Sequence, residues 1–122
     1  MENRSPFSET HVLITGGAGF IGSNLADELI NLGSKVTVLD NLMTGHIENI
    51  SHLLKHPQFT FIEGDIRDFE TCQKAIKGCT HVSHQAALGS IPRSIDDPLL
   101  SLNINILGTT NIFFASVKEG VR

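Results

Sequence analysis

Glycines at 16, 17, 19 and 22 follow directly on the apolar run His11-Val-Leu-Ile-Thr15 and come just before a helical pattern begins. Residues of that type and spacing are suited to cradling a phosphate chain. Gly16 permits a tight reversal, Gly19 lets backbone approach a pyrophosphate, and Gly22 lets the helix lie close on the strand. The first helical amides, at the positive end of the helix dipole, then face the anion. A plain strand, turn and helix can carry the same glycines, so their neighbours decide. A second strand over 35–39, alternating Val36 and Val38, leads to Asp40, eighteen residues past Gly22. A carboxylate there accepts from the hydroxyls of an adenosine ribose and repels a 2′-phosphate, which favours NAD over NADP. The other reading of Asp40 is an ordinary solvated loop aspartate.

The elements that must position these residues can be followed along the chain. After a loop over 40–45, a helical piece over 48–54 leads to Pro57, which is excluded from a helix interior. A third strand spans 59–63 and is closed by Gly64 and Asp65. A helix over 69–77 follows, with apolar positions at Phe69, Cys72, Ala75 and Ile76, and Gly78 ends it. The fourth strand covers 80–85. Pro98 stands near the start of a long helix, 98–119, carrying Leu99, Leu102, Ile106, Ile112, Phe113 and Val117, with Gly120 as its stop. Strands alternating with helices imply right-handed crossovers and an α/β fold with a doubly wound parallel sheet in the order 3-2-1-4. Such a sheet has two further strands when complete. Val121 and Arg122 are expected to begin the fifth, which leaves strand four as an exposed edge and the chain as the N-terminal part of a longer protein.

Composition narrows the function classes. The 122 residues fit one domain, 40% of them are hydrophobic and 18% charged, and the net charge is −4. Nine basic residues scattered among thirteen acidic ones form no basic stripe, which argues against nucleic acid. No apolar run nears the ~20 residues that span a bilayer, and the first ten residues read as a polar lead-in without the apolar segment of a secretory signal. Two cysteines, Cys72 and Cys79, are expected to be reduced thiols in a cytoplasmic protein. The six histidines have no ligand pattern beside them; His52 and His56, four apart, read as a solvated helix face and not as a zinc site. No metal is expected.

With those features in view, the chain resembles the extended short-chain dehydrogenase/reductase family, the NAD-dependent epimerases and dehydratases. That family uses Gly-x-x-Gly-x-x-Gly, here Gly16, Gly19 and Gly22. The likeness runs through Val-Leu-Asp-Asn-Leu-Met-Thr-Gly-His (38–46), Glu-Gly-Asp-Ile-Arg-Asp (63–68), His-Gln-Ala-Ala (84–87) and Asn-Ile-Leu-Gly-Thr (105–109). Within the family, the stretch 84–94 looks most like epimerases of UDP-N-acetylglucosamine; UDP-galactose epimerases and UDP-glucuronate decarboxylases resemble it less there. The implied fold is an incomplete Rossmann-like sheet.

The resemblance implies roles by position. Gly16, Gly19, Phe20, Ile21 and Gly22 would hold the pyrophosphate of NAD, and Asp40, Asn41, Thr44 and Gly45 the adenosine ribose and nearby phosphate. Asp65 and Ile66 would flank the adenine, the carboxylate accepting from its exocyclic amine; a simple strand-ending turn is the alternative there. Gln85, Ala86 and Ala87 would line the nicotinamide-side ribose, or else the alanines only pack on the next helix. Gly89, Ser90 and Arg93 are the candidates for touching the sugar or its diphosphate, against a reading as solvent-facing loop residues. Asn105 would organise the cofactor side, or bond only backbone as a buried helix Asn.

The implied reaction is reversible C4 oxidation of a UDP-sugar by bound NAD, with the Tyr of a Tyr-x-x-x-Lys as base. Tyrosine is absent from these 122 residues. The isolated chain is therefore expected to hold cofactor at most, without catalytic residues of its own. Two alternatives stay open: the NAD portion of a nucleotide-sugar dehydratase or decarboxylase, and a non-catalytic NAD-binding or interaction module. A homodimer through helix 98–119 is expected, as helices at this place commonly pair in the family.

Overall fold

The computed structural model describes residues 7–86, 99 and 103–121. Four strands, β1 (His11–Thr15), β2 (Lys35–Asp40), β3 (Phe59–Glu63) and β4 (His81–His84), form one sheet in the order β3-β2-β1-β4. All three pairings are parallel, with Val12 opposite Val36 and His81, and Val36 opposite Phe59. The expected topology is thus present, and among the described residues β4 is an edge.

Alternation along β1 and β2 sends side chains to two separate cores, as expected for strands buried on both faces. On one face Val12, Ile14, Val36, Val38 and Phe59 pack with Ala26 and Leu29 of α1 (Phe20–Asn31) and with Ile50 and Leu53. On the other, Leu13 and Leu39 pack with Cys72, Ala75 and Ile76 of α2 (Phe69–Ile76) and with Ile112 and Ala115 of α3 (Thr109–Glu119). Asp68 caps α2, its carboxylate accepting from the amide of Glu70 at 3.2 Å and the hydroxyl of Thr71 at 2.9 Å.

Several expected boundaries shift. Strand β2 runs one residue longer, because Asp40 pairs with Glu63. The helical piece over 48–54 is instead two 3-10 turns, Ile47–Asn49 and Ser51–Leu53, parted at Ile50 by a backbone of φ −123°, ψ 3°. Helix α2 stops at Ile76, since Lys77 turns to ψ 125°. The described part of the long helix is a π-helical segment, Asn103–Gly108, joined to α3. Its buried stripe is Ile104, Gly108, Ile112 and Ala115, whereas Leu99, Ile106, Phe113 and Val117 are exposed; Leu102 lies outside the described residues. Val121 is the last of the described residues, Arg122 lying outside them. Its amide donates to the Ser116 carbonyl at 3.0 Å and the Gly120 amide to Val117 at 3.2 Å, closing α3 around a left-handed Gly120, while the Val121 side chain packs on the second core.

Candidate functional site

All four strands run parallel, so their carboxyl ends lie along one rim, and the chain leaves β1 toward β2 on one side with β4 on the other. A crevice belongs at such a divergence. One is present there, with about 610 Å³ of empty space open to solvent. It is lined by residues that directly follow or end every strand: Gly16 and Gly19, Leu39 to Asn41, Gly64 to Ile66, and Gln85 with Ala86. Met43, Thr44, Gly45 and Ile104 complete it.

The floor of the crevice is a turn from which side chains are sterically excluded. Gly16 is left-handed at φ 71°, and a Cβ on it would lie 2.9 Å from the backbone N and Cα of Ala86. A Cβ at Gly22 would stand 2.5 Å from the Gly16 carbonyl oxygen, so α1 reaches this close to the turn only as glycine. Gly19 precedes α1 in extended conformation; no side chain caps the helix and no acidic residue stands in its first turn. An uncapped N-terminus above a bare glycine turn is the arrangement that a phosphate completes.

Asp40 is the buried charge of the site, 8% exposed. Its Oδ2 accepts from the amide of Ala18 at 2.9 Å and its Oδ1 from that of Leu42 at 2.8 Å, the latter held left-handed at φ 61°. The carboxylate thereby ties the glycine turn to the loop after β2. Ala18 repeats the tie, its carbonyl accepting from the amide of His46 at 3.0 Å and from Asn49 Nδ2 at 2.8 Å. A carboxylate has about four acceptor positions, so two remain at a crevice wall for hydroxyl donors.

Just past the end of the neighbouring strand β3, Asp65 is gripped by Arg67. The guanidinium Nε donates to both carboxylate oxygens at 3.0 Å, Nη2 donates to Oδ2 at 2.5 Å, and the Arg67 amide donates to Oδ1 at 2.9 Å. These bonds hold the Asp65 carboxyl below the usual carboxylate range, against an opposing push from its partial burial.

A third cluster joins β1, β4 and α3. The buried Thr15 hydroxyl accepts from the amides of Gln85 and Ala86, each at 3.1 Å, and lies 2.5 Å from His84 Nδ1. With both lone pairs of the hydroxyl engaged, its proton goes to Nδ1. His84 therefore carries its own hydrogen on Nε2 and donates it to Thr109 Oγ1 at 2.8 Å. Burial lowers the His84 pKa, in keeping with a neutral ring.

The crevice brings together Gly16, Gly19, Asp40, Asn41, Thr44, Gly45, Asp65, Ile66, Gln85 and Ala86 among the expected residues. Phe20 and Ile21 do not line it; their side chains are 81% and 67% exposed at the start of α1, and Gly22 lies buried beneath the turn. Asn105 is half-buried in the π-helical segment, with its neighbour Ile104 lining the crevice. Ala87, Gly89, Ser90 and Arg93 lie outside the described residues. Sequence reasoning missed the Thr15–His84–Thr109 cluster, whose signal was a hydroxyl ending an otherwise apolar strand. It also assigned no role to Arg67, which stands in the motif 63–68, or to Asn111, whose Nδ2 donates to the carbonyls of Ile66 at 3.0 Å and Arg67 at 2.9 Å. His52 and His56 turn to different partners, Asp27 at 2.6 Å and the Gln58 amide at 3.0 Å. Both cysteines are free and buried, and no described helix is long and apolar enough to cross a membrane.

Residues 12–122 match the NAD dependent epimerase/dehydratase family. A putative UDP-glucose 4-epimerase of Methanocaldococcus jannaschii is 43% identical over 102 residues, 83% of this chain and 32% of that protein. The UDP-glucose 4-epimerase of Thermus thermophilus, crystallised with NAD, superimposes with a TM-score of 0.81 at 43% identity, over 92% of this chain and 35% of that one. The UDP-N-acetylglucosamine 4-epimerase of Methanobrevibacter ruminantium, in complex with UDP-N-acetylmuramic acid, gives 0.85 at 37% identity, over 93% and 36%. The chain thus spans about a third of the length of these relatives.

Proposed function

The chain belongs to the NAD-dependent epimerase/dehydratase family, and from that premise we propose that it is the cofactor-binding portion of a cytoplasmic nucleotide-sugar 4-epimerase interconverting UDP-N-acetylglucosamine and UDP-N-acetylgalactosamine. The observation that carries the reading is the crevice itself, where a side-chain-free glycine turn, an uncapped helix and two carboxylates meet at the strand ends.

In this reading Gly16, Gly19 and the first amides of α1, at Phe20, Ile21 and Gly22, hold the pyrophosphate. Asp40, with Asn41, Thr44 and Gly45, holds the adenosine ribose. Asp65 and Ile66 hold the adenine, and Gln85, Ala86 and Ala87 border the nicotinamide ribose, with Asn105 supporting that side. Gly89, Ser90 and Arg93 face the sugar diphosphate. NAD, when bound, supplies reversible hydride transfer at the sugar C4. The chain's own part is to orient that cofactor. The Tyr expected from the family is not among these 122 residues, and the proton at the sugar hydroxyl is left to residues outside them. The exposed Phe113, Phe114 and Val117 of α3 support pairing with a second copy.

Calorimetric titration tests the cofactor reading. NAD is expected to bind at least tenfold more tightly than NADP, and Asp40→Asn should weaken NAD and narrow that ratio. Equal affinity for the two, or no heat with NAD, overturns it. For the parent enzyme, the coding frame past the Arg122 codon should continue into a Tyr-x-x-x-Lys, and its full product should epimerise UDP-N-acetylglucosamine. A stop codon there overturns the enzyme reading and leaves an NAD-binding module.

A further inference from the structure

The Thr15–His84–Thr109 cluster has no place in the cofactor assignments above, yet it is bonded directly to the crevice wall. Ala86 lines the crevice, and its backbone lies so near Gly16 that a Cβ there would stand 2.9 Å away. Among the described residues the Ala86 amide has one acceptor, the Thr15 hydroxyl at 3.1 Å, whereas the Gln85 amide also reaches the Thr15 carbonyl. One fully buried hydroxyl oxygen thus holds the wall against the glycine turn.

That oxygen is full. It offers two acceptor positions and one hydrogen; the two amides occupy the first and His84 Nδ1 receives the second at 2.5 Å. The set closes only while Nδ1 is bare. A proton on the ring would put four hydrogens around an oxygen with places for three. The ring keeps its seat, because Nε2 donates to Thr109 at 2.8 Å in either charge state, and a charged N–H bonds more strongly than a neutral amide. The Gln85 amide can withdraw to the Thr15 carbonyl, but the hydroxyl hydrogen is then left facing Nδ1–H without an acceptor. Protonation therefore breaks the set that carries Ala86.

A proton has access, since Thr109 is exposed and His84 half-buried. Charged and titratable groups on the elements packed against His84 stand away from it. His11 is at the far end of β1, and His81 is three residues back along β4, about 10 Å away. Lys118 and Glu119 lie in the last turn of α3, about 14 Å along the helix from Thr109, and the segment Asn103–Gly108 has no titratable side chain. Burial is accordingly what lowers the His84 pKa, so the closed wall favours the neutral ring and opening gains as pH falls below about 6.5.

We propose that His84 is a positioning residue which, acting through the Thr15 hydroxyl, seats the Ala86 wall of the crevice only while its ring is neutral, so that NAD affinity falls as the ring gains a proton. This rests on the proposed cofactor reading and adds to it the group that makes the site sensitive to pH.

Two measurements on the 122-residue chain between pH 7.5 and 5.0 test it. Amide exchange, corrected for the intrinsic rate, reads the wall without ligand: protection of Ala86 relative to Gln85 should fall about fivefold or more, as for one lost hydrogen bond. Calorimetric affinity for NAD should fall by about the same factor. His84→Asn, whose side-chain oxygen can accept near the Nδ1 position and does not titrate, should hold both ratios within about twofold. The other histidines titrate alike in both proteins, so the comparison removes them. A merely structural His84 would shift affinity equally at every pH. A flat exchange ratio in wild type overturns the proposal, and so does a pH dependence that persists in His84→Asn or a ring shown by nitrogen NMR to carry its hydrogen on Nδ1 at pH 7.5. Where exchange responds and affinity does not, the latch stands and its hold on the cofactor is overturned. No heat with NAD at pH 7.5 overturns the cofactor reading and the affinity half of the proposal with it, while the exchange ratio still decides the latch.

Discussion

Replacing Thr15 by valine exchanges a hydroxyl for a methyl in nearly the same volume and isolates the worth of the β1–β4–α3 cluster. Three hydrogen bonds go: those from Gln85 and Ala86 and the one to His84. The Gln85 amide is spared, since it also donates to the Thr15 carbonyl at 3.0 Å. Two groups are left without partners, the Ala86 amide and His84 Nδ1. At about 1.5 kcal/mol for each unsatisfied half-buried group the cost is about 3 kcal/mol, and the extra buried methyl returns about 0.8 kcal/mol. A net loss of about 2 kcal/mol should lower the urea midpoint by roughly 1.3 M at an m-value of about 1.5 kcal/mol/M. Thr15→Ser keeps the hydroxyl and should cost about 1 kcal/mol or less, as a lost methyl does. Urea unfolding followed by circular dichroism at pH 7.5 measures both. A valine variant within about 0.5 kcal/mol of wild type, or a serine variant as damaged as the valine one, refutes the assignment of the hydroxyl's three bonds.

Other outcomes follow from the same geometry. Burial lowers the pKa of both His84 and His11, with Lys35 adding to the effect at His11. The unfolded chain thus binds more protons below about pH 6.5, and stability should be full above that value and fall as pH drops below it, giving a lower urea midpoint at pH 5.5 than at 7.5. The thiols of Cys72 and Cys79 are pushed up to about 11, mainly by burial. Alkylation at pH 8 should therefore be more than about 100-fold slower in the native chain than in urea, and fast native labelling would contradict their burial. Gly16→Ala must adopt φ 71° and place a methyl 2.9 Å from Ala86 backbone. We expect a loss of at least about 1 kcal/mol in urea unfolding together with loss of NAD binding by calorimetry.

Much of the sheet was legible because its information is local. Runs such as Val12 to Ile14 and Val36 to Leu39, cut by Gly16 and Asp40, mark strands whether or not their neighbours are known, and alternation with helices dictates the order. The strand-end residues of the site came with it, since a crevice at that rim needs only the topology. Helix 98–119 was harder. It carries apolar side chains on two faces, and periodicity does not say which face meets the sheet; packing chose Ile104, Ile112 and Ala115 and left Phe113 and Val117 outside. The partners of Thr15 and Ile66 were invisible for a related reason. Hydrogen bonds between Thr15 and His84, or Asn111 and Ile66, join residues 69 and 45 positions apart, and nothing in either local stretch announces the other.

The position of β1 between β2 and β4 also orders the events by which the chain folds. Register partners His11 and Lys35 are 24 residues apart, whereas Val12 and His81 are separated by 69. Closing the longer loop costs about 0.9 kcal/mol more in chain entropy, and the β1–β2–β3 half can assemble against α1 before it is met. β4 and α3 then arrive last, and only their arrival completes the wall formed by Gln85 and Ala86. The dinucleotide crevice is thus a late product of folding. Amide exchange should show 81–86 opening ahead of 12–15, and a ligand spanning the rim would slow unfolding by bolting the last-formed strand to the first-formed half.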